Sequence, residues 1–165
     1  LQTVKDCASI LIDSSELSLH ELRAEMSRLF SLEFHQKLSV TLQSFSYKRG
    51  LPRSVDMVFD CRFLRNPHYE ADLRALSGLD EAVARYVADD PRYAAFFQQI
   101  TDLCATLLPA YLEEGKSHFS IAFGCTGGRH RSVTLTEAAS QMLALAGWQV
   151  SCRHRELQRA SGMLQ

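Results

Sequence analysis

Ile121-Ala122-Phe123-Gly124-Cys125-Thr126-Gly127-Gly128-Arg129-His130-Arg131-Ser132-Val133 joins three kinds of local sequence. The apolar run from His118 to Phe123 predicts a strand. A glycine-rich, basic loop follows. Val133 to Ala146 then carries helical spacing and stops at Gly147. A strand, a tight loop and a helix start make an anion site, because the first helical N–H groups have no partner within the helix and point at the loop. Gly127 and Gly128 allow the backbone to turn inward. Arg131 adds a planar fork suited to a phosphate or carboxylate. Thr126 and Ser132 add hydroxyl donors.

The same residues also fit Cys-x5-Arg-Ser/Thr, the loop pattern of tyrosine phosphatases. On that alternative Cys125 is the nucleophile, Arg131 clamps the phosphate oxygens and Asp60 is the candidate acid. Gly124 stands where such enzymes usually carry histidine. A third reading is a buried cysteine that ends a core strand beside a solvated basic turn. The local pattern leaves all three open.

The chain has 165 residues, 46 % hydrophobic and 22 % charged, a globular balance with room for one sizeable core. The formal net charge is −1, so any nucleic-acid or phosphate site must be a local basic patch. No apolar run approaches the ~20 residues of a membrane span, and no signal-peptide pattern is seen. Cysteines at 7, 61, 104, 125 and 152 are odd in number and scattered, without Cys-x-x-Cys or a His/Cys spacing that suits zinc. Reduced thiols in a cytoplasmic protein, without metal or bound cofactor, are the expectation. A chain opening on Leu1 is expected of a fragment or a processed product.

Outward from the loop, Ser39 to Tyr47 alternates and is β-rich, predicting a strand closed by Lys48-Arg49-Gly50-Leu51-Pro52. Ser54 to Phe63 predicts a second, largely buried strand. Asp60 and Arg62 stand at its carboxyl end, where ligands gather in open α/β sheets; an Asp–Arg pair that fixes the next loop is the competing reading. His68, in the loop after it, is a candidate oxyanion contact or proton shuttle, or simply a loop histidine. Asp89-Asp90-Pro91 predicts a helix start. The stripe Phe96/Phe97, Ile100, Leu103/Cys104, Leu107 and Tyr111 predicts a long buried helix that Pro109 kinks or splits. Gly115-Lys116-Ser117 imitates the end of a Walker A motif, but Ala110 replaces its first glycine and Gly115 ends a helix instead of opening one. Gly147 to Cys152 predicts a last short strand. It leads to Arg153, His154, Arg155 and Arg159, a set of solvated charges or a small basic patch for phosphates or RNA.

Strands near 40–46, 55–60, 118–124 and 149–153 separated by helices predict an α/β fold: a mainly parallel sheet of about four strands with flanking helices. Before it, Cys7 to Asp13 predicts a short strand, and the capping box Ser18-Leu19-His20-Glu21 opens a helix with Leu19, Leu22, Met26, Leu29 and Phe30 on one stripe. That strand and helix form a unit of their own, giving domains 1–37 and 38–165.

Five segments together carry a family resemblance: Ser44 to Pro52, Asp60 to His68, Leu76 to Asp80, Gly124 to Ser132 and Arg153 to Leu157. In this order the chain resembles the RapZ/YvcJ family of bacterial P-loop nucleotide-binding and RNase adapter proteins. The resemblance implies that residues 1–37 are the end of an N-terminal P-loop domain, with its Walker A segment upstream. ATP or GTP binding and hydrolysis would then belong to the longer protein. It implies that residues 38–165 are a C-terminal domain that binds an amino-sugar phosphate, glucosamine-6-phosphate or a nucleotide-sugar relative. The implied contacts are His68, Thr126, Gly127 and Arg131, bordered by Asp60 and Cys125; Gly128 and Ser132 join them from the loop chemistry. In the enterobacterial branch the family also binds a small regulatory RNA and presents it to an RNase. Here Arg129, Arg153, Arg155 and Arg159 are the RNA candidates, and the residues after Arg159 lack the lysine/arginine-rich tail of that branch. A homo-oligomer is implied as well.

Overall fold

The computed structural model describes residue 10, residues 12–30 and residues 38–160. The chain divides into two compact units, Leu1–Gln36 and Lys37–Gln165. In the first unit, helix α1 spans Leu19–Phe30. Its capping box is formed: Ser18 Oγ accepts the Glu21 N–H at 3.3 Å, and Glu21 Oε2 accepts the Ser18 N–H at 2.8 Å. Leu19, expected on the apolar stripe, is 67 % exposed. The strand expected over Cys7 to Asp13 falls mainly outside the described residues, and Ile12 and Asp13 are not in a strand.

The second unit is a four-stranded sheet. Strand β1 spans Ser39–Ser46, β2 Met57–Asp60, β3 His118–Cys125 and β4 Gln149–His154, in the order β2-β3-β1-β4. Every pairing is parallel, with Ser46 opposite Cys125 and Ser44 opposite His154. All four carboxyl ends therefore lie at one end of the sheet, where loops and helix starts converge. The two central strands bury the core: Val40, Leu42 and Phe45 from β1, Phe119, Ile121 and Phe123 from β3.

Among the described residues of this unit there are four α-helices: α2 Glu81–Ala88, α3 Tyr93–Glu113, α4 Arg131–Leu145 and α5 Arg155–Ala160. Helix α3 is continuous through Pro109. Pro109 and Ala105 are both exposed, so the carbonyl that proline leaves without a donor faces water. The buried stripe of α3 runs through Ile100, Cys104 and Leu108, whereas Leu103 is 40 % exposed and Tyr111 36 %. The helix begins two residues beyond Pro91, because Asp90 accepts the Arg92 N–H from within the preceding turn. Strand β2 is four residues long and half-buried in alternation, as an edge strand must be, not the long buried strand expected over Ser54 to Phe63. Gly115, at φ +80°, closes α3, and Lys116 Nζ binds Asp56 Oδ1 at 2.5 Å, so the Gly-Lys-Ser run is a helix end. Among the described residues no helix is long and apolar enough to cross a membrane.

Candidate functional site

Strand β3 ends at Cys125 and α4 begins at Arg131, so five residues make the turn. Gly128 has φ +65°, and a Cβ there would meet the Ser46 nitrogen at 2.7 Å and the Phe45 carbonyl carbon at 2.8 Å. Only glycine fits that position. The turn is tied on several sides. Ser46 Oγ donates to the Thr126 carbonyl at 2.7 Å. Gly128 N–H donates to Cys125 Sγ at 3.2 Å, and Ser132 Oγ lies 3.1 Å from the same sulfur. Gly78 donates its N–H to the Arg129 carbonyl at 2.9 Å. His130, the N-cap of α4, forms no side-chain cap bond, and among the described residues no protein acceptor takes the Arg131 or Ser132 amide.

Arg131 is 5 % exposed. Its Nη1 donates to the carbonyls of Arg62 at 2.6 Å and Leu64 at 3.1 Å, and its Nη2 to Thr126 Oγ1 at 3.4 Å. Its Nε is buried without a partner. All the acceptors are neutral, and among the described residues no carboxylate pairs with this guanidinium. A buried charge paired only with neutral groups is costly.

Arg131 opens onto a cleft of about 560 Å³. His68, Thr126, Gly127 and Arg131 line it together, with Cys125 and Arg129 on its wall. Lys48, Asn66, Arg74 and His130 also line it, and these the sequence did not single out. Lys48 sits in the helical turn after β1 and Arg74 in the loop after β2; only the parallel pairing of β1 and β2 around β3 brings them to one mouth. The lining contains four Lys/Arg side chains and no Asp or Glu. This is the donor set of an anion site, not of a cation site. His130 is nearly buried, and burial lowers its pKa; its Nε2–H donates to the Leu76 carbonyl at 2.9 Å. It serves the cleft as a neutral wall.

Several sequence candidates lie elsewhere. Gly128 and Ser132 sit behind the cleft and shape the turn. Asp60 is engaged by Arg62, whose Nε and Nη2 both reach its carboxylate at 2.6–3.0 Å, and whose guanidinium lies 4.1 Å from the Tyr47 ring centre. Hydrogen bonding to Arg62 lowers the Asp60 pKa, so at neutral pH Asp60 is a carboxylate and holds no proton to give as an acid. At Gly124 a Cβ would press into the Phe45 ring and stand 2.5 Å from Tyr47 Cε2, so the residue before Cys125 has no room for the histidine of a phosphatase loop.

Of the four arginines considered for RNA, Arg129, Arg153 and Arg159 are exposed and Arg155 is half-buried. Arg155 is turned inward: its Nη2 donates to the Ser46 and Gly50 carbonyls at 3.0 Å each, and its Nε to Glu156 Oε1 at 2.8 Å. Glu156 Oε1 in turn accepts the Ser46 N–H at 3.3 Å. Arg155 and Glu156 thus brace β1 from behind the loop. Arg129 donates to the Ala75 and Leu76 carbonyls at the cleft wall. Arg153 and Arg159 are exposed.

Comparison with known proteins shows the family of this chain. The family described as the RapZ C-terminal domain matches residues 38–158. A nucleotide-binding protein of Ruegeria pomeroyi is 56 % identical over 159 residues, covering 96 % of this chain and 56 % of its own length. One from Ruegeria sp. (strain TM1040) is 59 % identical over 157 residues, covering 95 % of this chain and 52 % of its own. One from Dinoroseobacter shibae is 57 % identical over 161 residues, covering 98 % and 54 %. The chain spans about half the length of the curated relatives it matches. With the glycine turn, the inward Arg155–Glu156 brace and the Arg131 cleft all inside the matched segment, this chain belongs to the RapZ family and carries its C-terminal domain.

Proposed function

We propose that residues 38–160 bind a phosphorylated amino sugar, glucosamine-6-phosphate or a nucleotide-sugar relative, in the cleft between the 126–130 turn and the loop around His68. The observation that carries this reading is Arg131: a guanidinium buried to 95 % with a free Nε, neutral partners only, at the floor of a cleft lined by cations. The phosphate sits on the Thr126 hydroxyl, the helix-start amides and Arg131. The sugar extends toward His68 and Asn66, whose polar side chains suit hydroxyl and amino groups. Binding without turnover is the reading because Asp60, the candidate acid, is held as a carboxylate by Arg62 and has no proton to give a leaving group.

The relatives are named nucleotide-binding proteins. For the longer protein we place ATP or GTP binding outside this domain, whose Gly-Lys-Ser run is a helix end. The domain then acts as a metabolite sensor for that protein, in an oligomer and in an RNase adapter role. Titration calorimetry tests the ligand reading directly. Glucosamine-6-phosphate should bind the chain with one site, and glucosamine without the phosphate should not. Equal heats from both sugars would remove the phosphate from the site and the proposal with it.

A further inference from the structure

Away from the cleft, three metal-ligating side chains meet at the free edge of the sheet. Cys152 and His154 stand two residues apart on β4 and therefore share a face, the one covered by α4. Glu137 descends from the second turn of α4. One ligand atom from each, Glu137 Oε1, Cys152 Sγ and His154 Nε2, lies within 4.8 Å of the others. The separations are 3.2 Å from sulfur to carboxylate, 3.8 Å from sulfur to imidazole and 2.8 Å from imidazole to carboxylate. Around a tetrahedral zinc, with bonds of about 2.3 Å to sulfur and about 2.0–2.2 Å to nitrogen and oxygen, neighbouring ligand atoms stand roughly 3.3–3.6 Å apart. The two separations to sulfur lie within about 0.4 Å of that shell, and the His154–Glu137 pair, now at hydrogen-bond distance, opens by about half an ångström to admit the ion.

The second ring nitrogen of His154 is already fixed. Its Nδ1 lies 3.0 Å from Ser44 Oγ, on a serine with no exposure. A hydrogen bond at Nδ1 that orients the ring and leaves Nε2 for the ion is the usual support of a ligating histidine. Cys152 is exposed, which gives an ion its route in.

We propose that Glu137, Cys152 and His154 form a zinc site with three protein ligands and a fourth position for water. A mixed thiolate, imidazole and carboxylate set suits Zn²⁺ over Mg²⁺ or Ca²⁺. On binding, the Cys152 thiol releases its proton to solvent and its sulfur bonds the metal. The Nε2–H of His154 that faces Glu137 gives way to the ion: the ring carries its proton on Nδ1 instead, directed at Ser44 Oγ, the Nε2 lone pair bonds the metal, and Glu137 exchanges its hydrogen bond for a metal bond. The two β4 residues alone are not a zinc spacing; the third donor comes from a helix that only the fold brings alongside. The ion clips α4, which begins at the anion turn, to β4, which runs into the Arg155–Glu156 brace behind it.

The test is a titration of the chelator-treated chain with Co²⁺ as probe, followed by displacement with Zn²⁺. One equivalent should produce a near-ultraviolet thiolate-to-cobalt charge-transfer band, and zinc should abolish it. Cys152→Ser should remove the band and weaken zinc, measured against a chromophoric chelator, by at least about tenfold. Ser44→Ala should weaken it by about tenfold or more while keeping the band. Glu137→Gln keeps the helix and should also lower zinc affinity, which covers the case of a poorly folded Cys152 variant. Cys61, Cys104 and Cys125 are buried, and with the titration run in a Cys7→Ser background the band reports on Cys152. Absence of the band, a band that survives Cys152→Ser, or equal zinc affinity in the Glu137→Gln chain would overturn the site.

Discussion

Arg131, in the first turn of α4, donates from Nη1 to the carbonyl of Arg62 at 2.6 Å and so binds the start of the helix to the loop that leaves β2. One face of the guanidinium is structural, and on the proposed reading the other meets the phosphate. Arg131→Ala should therefore do two things. Affinity for glucosamine-6-phosphate should fall by at least about tenfold, from the ~1.5–3 kcal/mol of a hydrogen bond to a charged group. Stability should fall by about 1–3 kcal/mol, since the Arg62 and Leu64 carbonyls lose their donor. Arg131→Lys restores the charge but not the fork, and calorimetry should place it nearer alanine than wild type.

Gly78 packs against the helix start so closely that a Cβ would press on the His130 carbonyl and stand 2.6 Å from the Thr134 nitrogen. Both are backbone atoms, so neither can swing aside. Gly78→Ala should push the first turn of α4 off its seat and cost about 1–3 kcal/mol, the range for overpacking. Ligand affinity should fall with it although Gly78 is outside the cleft. A thermal melt and a titration on the same sample check both; an unchanged melting temperature would mean the turn has slack that its contacts do not show.

The fold was legible because its signals are local. Alternation in Ser39–Ser46, the apolar run before Cys125 and the glycine turn each follow from a few neighbouring residues. Strand ends were less so: β2 shrinks to four residues because its place at the edge, set by the whole sheet, decides how much of Ser54 to Phe63 pairs. Of the cleft, the turn residues could be read, since glycines, hydroxyls and an arginine between a strand and a helix have one physical use. Lys48 and Arg74 could not, because single exposed cations in loops look alike until strand order puts them on the same mouth. Arg155 misled for the reverse reason: a cationic residue in a basic run reads as surface, and only the carbonyls of Ser46 and Gly50 show that it faces inward.

That inward position separates Arg155 from Arg153. Arg155→Ala should lower the melting temperature by several degrees, the shift a loss of about 1–2 kcal/mol gives a domain of this size. Arg153→Ala should leave it unchanged, since its side chain is exposed. In gel shifts with single-stranded RNA, Arg129, Arg153 and Arg159 neutralise at most a few phosphates. At about 0.7 per phosphate the slope of log K against log salt should be no steeper than roughly −2. A much steeper slope would point to a broader basic surface than these three supply.

Asp90 links acid stability to the cleft. Its side chain is fully buried and accepts from Arg92 Nε at 2.9 Å, Arg92 Nη2 at 2.7 Å, the Arg92 amide at 3.0 Å and the Arg65 amide at 2.8 Å. Arg65 follows Leu64, whose carbonyl takes Arg131. The Arg92 side chain, first, and the two amides hold the Asp90 carboxyl far below the usual carboxylate range. A depressed folded-state value means the unfolded chain takes up the proton first as pH falls. The stabilisation is thus whole above the unfolded pKa of about 3.9 and drains away as pH drops below it toward the folded value. Asp90→Ala should cost about 2 kcal/mol or more at pH 7, since the Arg65 and Arg92 amides and the Arg92 guanidinium lose their acceptor. In melts taken from pH 4 down to pH 2 the gap between wild type and variant should narrow steadily. A gap of constant size across that range would show that Asp90 contributes packing and not charge.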